Sequence, residues 1–194
     1  DYVQEAEKKG CDVYDRINRE AESIRAGSDR LLYLPYLMGE RTPHLDPDCR
    51  GVFFGLSAVH TKAHLLRAVM EGVAYSLADC NEILGEMGVR PTRMMACGGG
   101  GRSAVWRQML ADLYDCEVLT IAQDEGPALG AAILAGVGCG IYPSVEAACD
   151  RLIQEKERTA PLKENVEIYK KYHALYQNLY RDLNEDYKKL AKLP

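Results

Sequence analysis

Apolar residues recur along the chain with two spacings, which predict short strands and longer helices. Compact apolar runs, typical of buried strands, lie at 31–34, 51–56, 93–97 and 117–121. Apolar residues three and four positions apart predict helices over 12–26, 61–88, 103–114 and 145–153. Because strand and helix alternate over 93–137, the pattern predicts an α/β layer architecture.

Two further helices have unusual patterns. Residues 128–136 follow Pro127 and are almost all small or apolar, so we expect this helix to be buried against a sheet. Glu125 precedes this helix, where the negative charge of a carboxylate interacts favourably with the positive end of the helix dipole. A catalytic role for Glu125 is the alternative. Over 166–190, tyrosines and leucines repeat at threes and fours, which predicts a long amphipathic helix. That helix either packs on its own domain or forms the coil of a homodimer.

Composition narrows the class of protein. The 194 residues are 47% hydrophobic with a net charge of −5, and no basic stripe with interleaved aromatics indicates nucleic-acid binding. The seven cysteines include no Cys-x-x-Cys pair, so we expect reduced thiols rather than disulfides or a zinc site. The sequence has no signal peptide and no bilayer-spanning apolar run, which favours a cytoplasmic protein. It opens at Asp1, so we expect a piece of a longer chain.

Four consecutive glycines follow the strand at 93–97 and precede the helix at 103–114. Without Cβ atoms, such a turn can adopt positive φ and lie against a phosphate or a flat ring. The following helix adds unpaired N–H groups, and Ser103 is suited to cap it. The stretch lacks the Gly-Lys-Ser/Thr of a P-loop and the third glycine of the dinucleotide fingerprint. A nucleotide-binding turn and a purely structural tight turn therefore both stay open.

Histidines and acidic residues gather in two places. His44, Asp46 and Asp48 lie in a proline-containing loop at 38–50. Because hard-cation loops carry more oxygen ligands at fixed spacing, we expect turn chemistry there rather than a metal site. His60 and His64 lie at the start of the long helix, where we expect them to cap it or face solvent.

The run 51–71 resembles the second signature of the FGGY carbohydrate kinases. The matching positions are Gly51, Phe53, Gly55, Leu56, His64, Leu65, Ala68, Val69, Met70 and Glu71. The stretches that resemble the xylulose kinase branch of that family are 33–43, 98–103, 106–112 and 126–132. The resemblance extends over 29–141 and, more loosely, through the final helix.

The resemblance implies an actin-like ATPase (ribonuclease H-like) fold in two lobes, of which this chain is the C-terminal lobe. It also implies three parts. The first is an N-terminal helical segment at 1–28, and the second is the kinase C-terminal nucleotide-binding domain at 29–153. A C-terminal helix at 154–194 packs on that domain.

The same resemblance implies ATP, with its Mg²⁺, as the cofactor. Gly98 and Gly99 are expected to contact the nucleotide, Gly100 to keep the turn narrow, and Ser103 to reach the adenine or ribose. Gly101 stands where the family has alanine, which is expected to loosen the turn slightly.

The implied activity is transfer of the γ-phosphate of ATP to a primary hydroxyl of D-xylulose, giving D-xylulose 5-phosphate. The catalytic aspartate belongs to the N-terminal lobe, and no segment here matches its motif, so we expect no catalytic residue in this chain and no activity from it alone. Its partners are the sugar, ATP and the N-terminal lobe. Two alternatives stay open: an FGGY kinase for ribulose, gluconate, glycerol or a deoxy sugar, and a non-catalytic actin-like binding module.

Overall fold

The computed structural model describes residues 2–122 and 126–194 of the chain. Across these residues the chain forms eight α-helices, one 3-10 turn (Ser28–Arg30) and five short strands. The helices are α1 (Tyr2–Lys9), α2 (Val13–Glu22), α3 (Lys62–Glu86), α4 (Gly98–Arg102), α5 (Ala104–Tyr114), α6 (Gly126–Gly138), α7 (Val145–Leu152) and α8 (Lys163–Leu190). The strands are β1 (Leu32–Leu34), β2 (Val52–Phe54), β3 (Arg93–Met95), β4 (Glu117–Ile121) and β5 (Glu155–Thr159).

The strands form two small sheets. β1 and β2 pair antiparallel, with Tyr33 opposite Phe53. In the second sheet β3 pairs parallel with β4, and β4 pairs antiparallel with β5, so the order is β3-β4-β5. Within the described part of the chain, β3 is therefore an edge strand with one side open.

The main core lies between α3, β1 and α8. Its largest buried side chains are tyrosines and leucines, namely Leu32, Leu34, Tyr36, Tyr75, Tyr169, Tyr176, Leu179 and Tyr180. The apolar face of α8 therefore packs on its own chain, which is the first of the two interpretations of its pattern. The division at 1–28, 29–153 and 154–194 stays a prediction, although β5 of the third part pairs with β4 of the second.

A buried carboxylate ties this core together. Glu71 of α3 is only 2% exposed. Its oxygens accept hydrogen bonds from Gly27 N (3.0 Å), Ser28 Oγ (2.8 Å), Arg67 Nε (2.7 Å) and Tyr169 OH (2.9 Å). Because four donors satisfy the carboxylate, its burial is tolerated and three separate segments are joined at one point.

The helix predicted over 12–26 is shorter than expected. It ends at Glu22, after which Ser23 Oγ donates a hydrogen bond to the Glu20 carbonyl at 2.7 Å. Gly27 does not cap this helix. It precedes the 3-10 turn with φ at +84°, and a Cβ there would lie 2.5 Å from the Tyr172 ring. The positive φ therefore favours glycine, and a side chain there would also displace the Tyr172 ring of α8.

Burial differs from expectation in two elements. The strand predicted over 93–97 was expected to be buried, but Met95 of β3 is 48% exposed. The apolar helix α6 was also expected to be buried, yet Leu134 is 64% exposed, and Ile133 and Gly136 are its buried residues. Its main neighbour among the described elements is α7.

Strand β5 is an element that the apolar pattern did not predict. Its sequence, Glu-Lys-Glu-Arg-Thr, is almost entirely charged, and most of it is exposed. Charged side chains are common on edge strands because they oppose further pairing. β5 is such an edge strand, pairing with β4 alone among the described strands.

The loop at 38–50 and the start of α3 follow their predictions. Asp46 Oδ1 accepts hydrogen bonds from the backbone N–H groups of Asp48 (2.9 Å) and Cys49 (3.2 Å), which confirms turn chemistry. His64 Nδ1 accepts from Thr61 N at 3.1 Å as part of a capping box. All seven cysteines are free thiols. Among the described helices, none combines the length and the apolar character needed to cross a bilayer.

Candidate functional site

The four glycines form most of helix α4 rather than an open turn. Gly98 begins it with φ at +67°, a conformation that favours glycine. Gly101 N donates to the Cys97 carbonyl at 3.4 Å, and Ser103 N donates to the Gly100 carbonyl at 3.2 Å. The strand β3 is thus connected to α5 through one compact helical turn that carries no side chains except that of Arg102.

One of these glycines is required by a close contact. A Cβ on Gly101 would lie 2.4 Å from the Ala96 carbonyl oxygen, so any larger residue forces the backbone to move. A Cβ on Gly100 would meet the Trp106 ring at 3.8 Å, an ordinary contact, and one on Gly99 would meet nothing within 4 Å. The resemblance implied that Gly100 keeps the glycine turn narrow and that Gly101 loosens it slightly. In the structure, the close contact is at Gly101.

Ser103 caps α5, as predicted. Its Oγ accepts a hydrogen bond from Trp106 N at 3.2 Å, and the residue is 8% exposed. This bond satisfies one of the unpaired N–H groups in the first turn of the helix.

A cavity of about 250 Å³ lies beside α4. It is lined by Ala96, Cys97, Gly98, Gly101, Arg102, Arg107, Thr120, Ile121, Ala122, Lys156 and Glu157. Because Ala96 follows β3 and Ala122 follows β4, the cavity lies at the carboxyl ends of two parallel strands. That edge is where open α/β sheets commonly bind ligands.

Several of the described residues that line the cavity are charged. Arg102, Arg107 and Lys156 are cationic, and Glu157 is acidic and accepts a hydrogen bond from Arg107. Arg107 and Thr120 are buried, at 7% and 8% exposure, and neither Arg107 Nε nor Thr120 Oγ1 has a hydrogen-bond partner among the described residues. The guanidinium of Arg107 and the ammonium of Lys156 are groups that suit an anionic ligand.

Of the residues expected to bind nucleotide, Gly98 lines the cavity, whereas Gly99, Gly100 and Ser103 do not. Gly99 and Gly100 lie on the same short helix and Ser103 follows it.

Sequence reasoning missed Arg107, Thr120 and Lys156. Arg107 could have been recognised from the sequence, because residues four apart on a helix lie on the same face and Arg107 follows the predicted cap Ser103 by four positions. Lys156 had none, since the charged segment around it was not recognised as a strand. Glu125, considered for helix capping or catalysis, lies outside the described residues.

A second cavity, of about 470 Å³, lies at the end of α3 and contains none of the predicted residues. It is lined by Asn81, Glu82, Gly85, Glu86, Val89, Arg90 and Pro91. Within residues 2–122 and 126–194, no three His, Cys, Asp or Glu side chains are grouped to hold a metal ion.

A sequence model described as the C-terminal domain of the FGGY family of carbohydrate kinases matches residues 2–139. The chain belongs to the FGGY family. The resemblance of the 51–71 signature is thereby confirmed.

FGGY relatives with two different substrate names match the chain. It is 38% identical to the xylulose kinase of Bacillus subtilis over 92% of its own length and 36% of that kinase. It is 40% identical to the gluconokinase of Bacillus licheniformis over 97% of its length and 37% of that kinase. The chain thus spans little more than a third of the relatives that it matches.

The fold is also shared. The crystal structure of ligand-bound xylulose kinase from Lactobacillus acidophilus matches with a TM-score of 0.85 at 29% identity, over 94% of this chain and 37% of that one. This similarity confirms the predicted fold class: an α/β chain with the actin-like ATPase fold of FGGY kinases.

Proposed function

We propose that this chain is the nucleotide-binding part of a sugar kinase that transfers the γ-phosphate of ATP to a primary hydroxyl of D-xylulose. The observation that supports nucleotide binding is the cavity beside α4, which lies at the carboxyl ends of two parallel strands and is lined by Arg107 and Lys156, whose charges suit phosphate groups. In phosphoryl transfer the protein mainly positions the phosphates and stabilises their charge, which is what such a cavity can do.

Mg²⁺ enters this proposal bound to the phosphates of ATP. Among the described residues, no group of three His, Cys, Asp or Glu side chains could hold a metal ion. In this proposal the oxygens of the nucleotide phosphates are ligands of the Mg²⁺.

The catalytic base is expected in those other parts. The chain spans 36% of the Bacillus subtilis xylulose kinase and contains no segment that matches the catalytic aspartate motif. The chain alone is therefore expected to bind nucleotide without phosphorylating sugar. A coupled assay that detects xylulose-dependent ATP consumption by the 194-residue chain would contradict this expectation.

The uncovered faces of α6 support a partner. α6 has 13 residues and no charged side chain, yet most of it is exposed. Helices that are apolar all round are normally buried. We infer that the preceding part of the kinase, the N-terminal lobe included, covers α6 in the complete protein. A homodimer formed through the same helix is the competing arrangement.

Nucleotide binding can be tested with the cysteines that the chain already has. Cys97 is exposed and lines the cavity, whereas Cys139 is exposed just beyond α6 and serves as the internal control. We expect ADP to slow alkylation of Cys97, measured by mass spectrometry, and to leave the rate at Cys139 unchanged. Equal alkylation rates at Cys97 with and without ADP would show that ADP does not bind in this cavity. The non-catalytic binding module would then be the better assignment.

Gluconate is the second candidate substrate. The gluconokinase of Bacillus licheniformis is as similar to the chain as the xylulose kinases are, at 40% identity. We favour D-xylulose because the stretches at 33–43 and 98–103 resemble that branch. Assaying the complete kinase with D-xylulose, gluconate, ribulose and glycerol separates the candidates, and a kcat/KM highest for gluconate would replace the first proposal.

A further inference from the structure

Arg107 connects the glycine helix to the outer strand of the sheet. It lies on α5 and is 7% exposed. Its Nη1 donates a hydrogen bond to the Gly101 carbonyl at 2.6 Å, and its Nη2 donates to the Glu157 carboxylate on β5. A planar guanidinium that makes two bonds at fixed angles sets both the distance and the orientation of the groups it joins.

Gly101 is consequently held from two sides. Its Cα lies so close to the Ala96 carbonyl that a Cβ would be only 2.4 Å from that oxygen. On the other side, its own carbonyl accepts the bond from Arg107. The end of α4 is thus fixed against the sheet by contacts that converge on one residue.

The bonds of Arg107 also fix its own side chain. Nη1 and Nη2 each donate one N–H to a protein oxygen, and Nε is inaccessible to solvent. The guanidinium, which lines the cavity, is therefore held in one orientation by the same bonds that hold Gly101.

We propose that Arg107 is a positioning residue, which holds α4 where the backbone around Gly98 can contact the nucleotide. This inference rests on the proposed nucleotide site. Without Arg107, α4 would keep its glycines but lose the bond that fixes its last turn, and the cavity would no longer be preorganised.

The chain offers a matched control for the substitution. Arg93 on β3 also reaches β5, donating from Nη1 to Glu155 at 2.9 Å, but it is exposed and does not line the cavity. Arg107→Met and Arg93→Met therefore remove the same charge and one ion pair to the same strand. Arg107→Lys keeps the charge without the planar fork, and Glu157→Gln keeps the bond to Gly101.

Two measurements on the 194-residue chain test the proposal. The first is the alkylation rate of Cys97 relative to Cys139 without nucleotide, which reports whether α4 is held. The second is the ADP concentration that halves Cys97 alkylation. Because both hydrogen bonds of the guanidinium are lost, including the one that holds Gly101, we expect Arg107→Met to raise that concentration at least about tenfold. It should also change the basal rate at Cys97, whereas Arg93→Met should change neither.

The outcomes separate this inference from the proposed function. If ADP fails to protect Cys97 in the unmodified chain, the proposed function fails, but the basal rate still tests whether Arg107 holds α4. If Arg107→Met lowers the melting temperature and leaves both readouts within twofold of the unmodified chain, its role is only structural and the inference is overturned. If Arg107→Met does not fold, Arg107→Lys takes its place. The inference is supported if the ADP concentration that halves Cys97 alkylation rises well above the value for Glu157→Gln. It is overturned if that concentration does not rise above that value.

Discussion

The core around Glu71 and the region around α6 differ in where their contacts come from. In the core, the carboxylate of Glu71 and the tyrosines of α3 and α8 are buried by segments of this chain. On α6, apolar side chains such as Leu134 face outward. The first region is buried by the chain itself, whereas the described residues leave much of the second exposed.

The two walls of the cavity beside α4 differ in a similar way. Helix α5, which carries Arg107, packs against α3 and α8 of the core. The other wall, where β3 ends and α4 begins, is largely half-buried or exposed. One wall of the cavity is therefore fixed by the chain itself, while the position of the other depends on a few contacts such as those at Gly101.

Glu71→Ala is expected to have the largest effect, because it breaks the core from within. Arg67, Tyr169 and the turn at Ser28–Arg30 would lose a shared acceptor, and a buried guanidinium would lose its charged partner. Removing one member of a buried ion pair typically costs about 3–5 kcal/mol. The measurement is the free energy of unfolding in urea. Glu167→Ala, which removes an exposed partner of Lys170, is the control, and a loss at Glu71 as small as in this control would contradict the account.

Leu134→Asp tests the exposed side. In the 194-residue chain Leu134 is 64% exposed, so the change should alter the free energy of unfolding by less than about 0.5 kcal/mol. In a complete kinase, made by exchanging this chain for the matching segment of the Bacillus subtilis xylulose kinase, the same change should cost at least about 2 kcal/mol, because the side chain becomes buried.

The control for that experiment is Leu175→Asp on α8, where the leucine is 47% exposed. We expect it to be tolerated in both proteins. Equal tolerance of Leu134→Asp in the complete kinase would mean that nothing covers α6 there. A 194-residue chain that is dimeric by light scattering, and monomeric as Leu134→Asp, would assign the face to a second copy.

Gly101→Ala and Gly99→Ala are a matched pair within α4. The Cβ at position 101 would lie 2.4 Å from the Ala96 carbonyl, and overpacking of this kind typically costs about 1–3 kcal/mol. At position 99 the Cβ meets open space, so the change should be neutral or stabilise by a few tenths of a kcal/mol. Thermal unfolding of both variants measures the difference, and equal melting temperatures would show that α4 can move away from β3 without cost.

His44 should make the core mildly sensitive to acid. Burial lowers the pKa of its imidazole, against the opposing effect of the carboxylates of Asp79, Glu40 and Asp46. The unfolded chain therefore binds a proton more readily than the folded one, and stability falls as the pH drops through about 6.5, the ordinary pKa of histidine.

His44→Phe keeps the ring that stacks on Tyr180 and removes the titrating group. Between pH 7.5 and 5.5 we expect unfolding free energy to decline less in this variant than in the unmodified chain. The difference between the two curves is the measurement, because contributions from other groups cancel. Parallel curves would show that protonation of His44 is not linked to folding.

The sequence correctly predicted the elements whose apolar residues are buried by other segments of the same chain. The apolar spacing of α3 and α8 and the apolar run of β4 were recognisable because their neighbours lie within the same chain. The same reasoning was wrong for the burial of β3 and α6, because the described residues leave Met95 and Leu134 exposed. It missed β5 because an edge strand gains its pairing from the backbone, and its charged side chains carry no apolar pattern.

The candidate site was predicted only in part for a related reason. Glycines are visible in a sequence, and Gly98 lines the cavity, but the expectation that Gly100 keeps the turn narrow gave no sign of the close contact at Gly101. Such a contact depends on how α4 lies over the Ala96 carbonyl, a distance that no local pattern encodes. The role of Arg107 depends on β5, fifty residues further along the chain.

The open side of β3 has a practical consequence for any laboratory that produces this polypeptide by itself. Unpaired strand edges and exposed apolar helix faces both favour association with neighbouring molecules, and the tendency grows with concentration. Yield should therefore improve when the polypeptide is made at low expression levels or fused behind a solubilising carrier, and light scattering during concentration would reveal the onset of clustering.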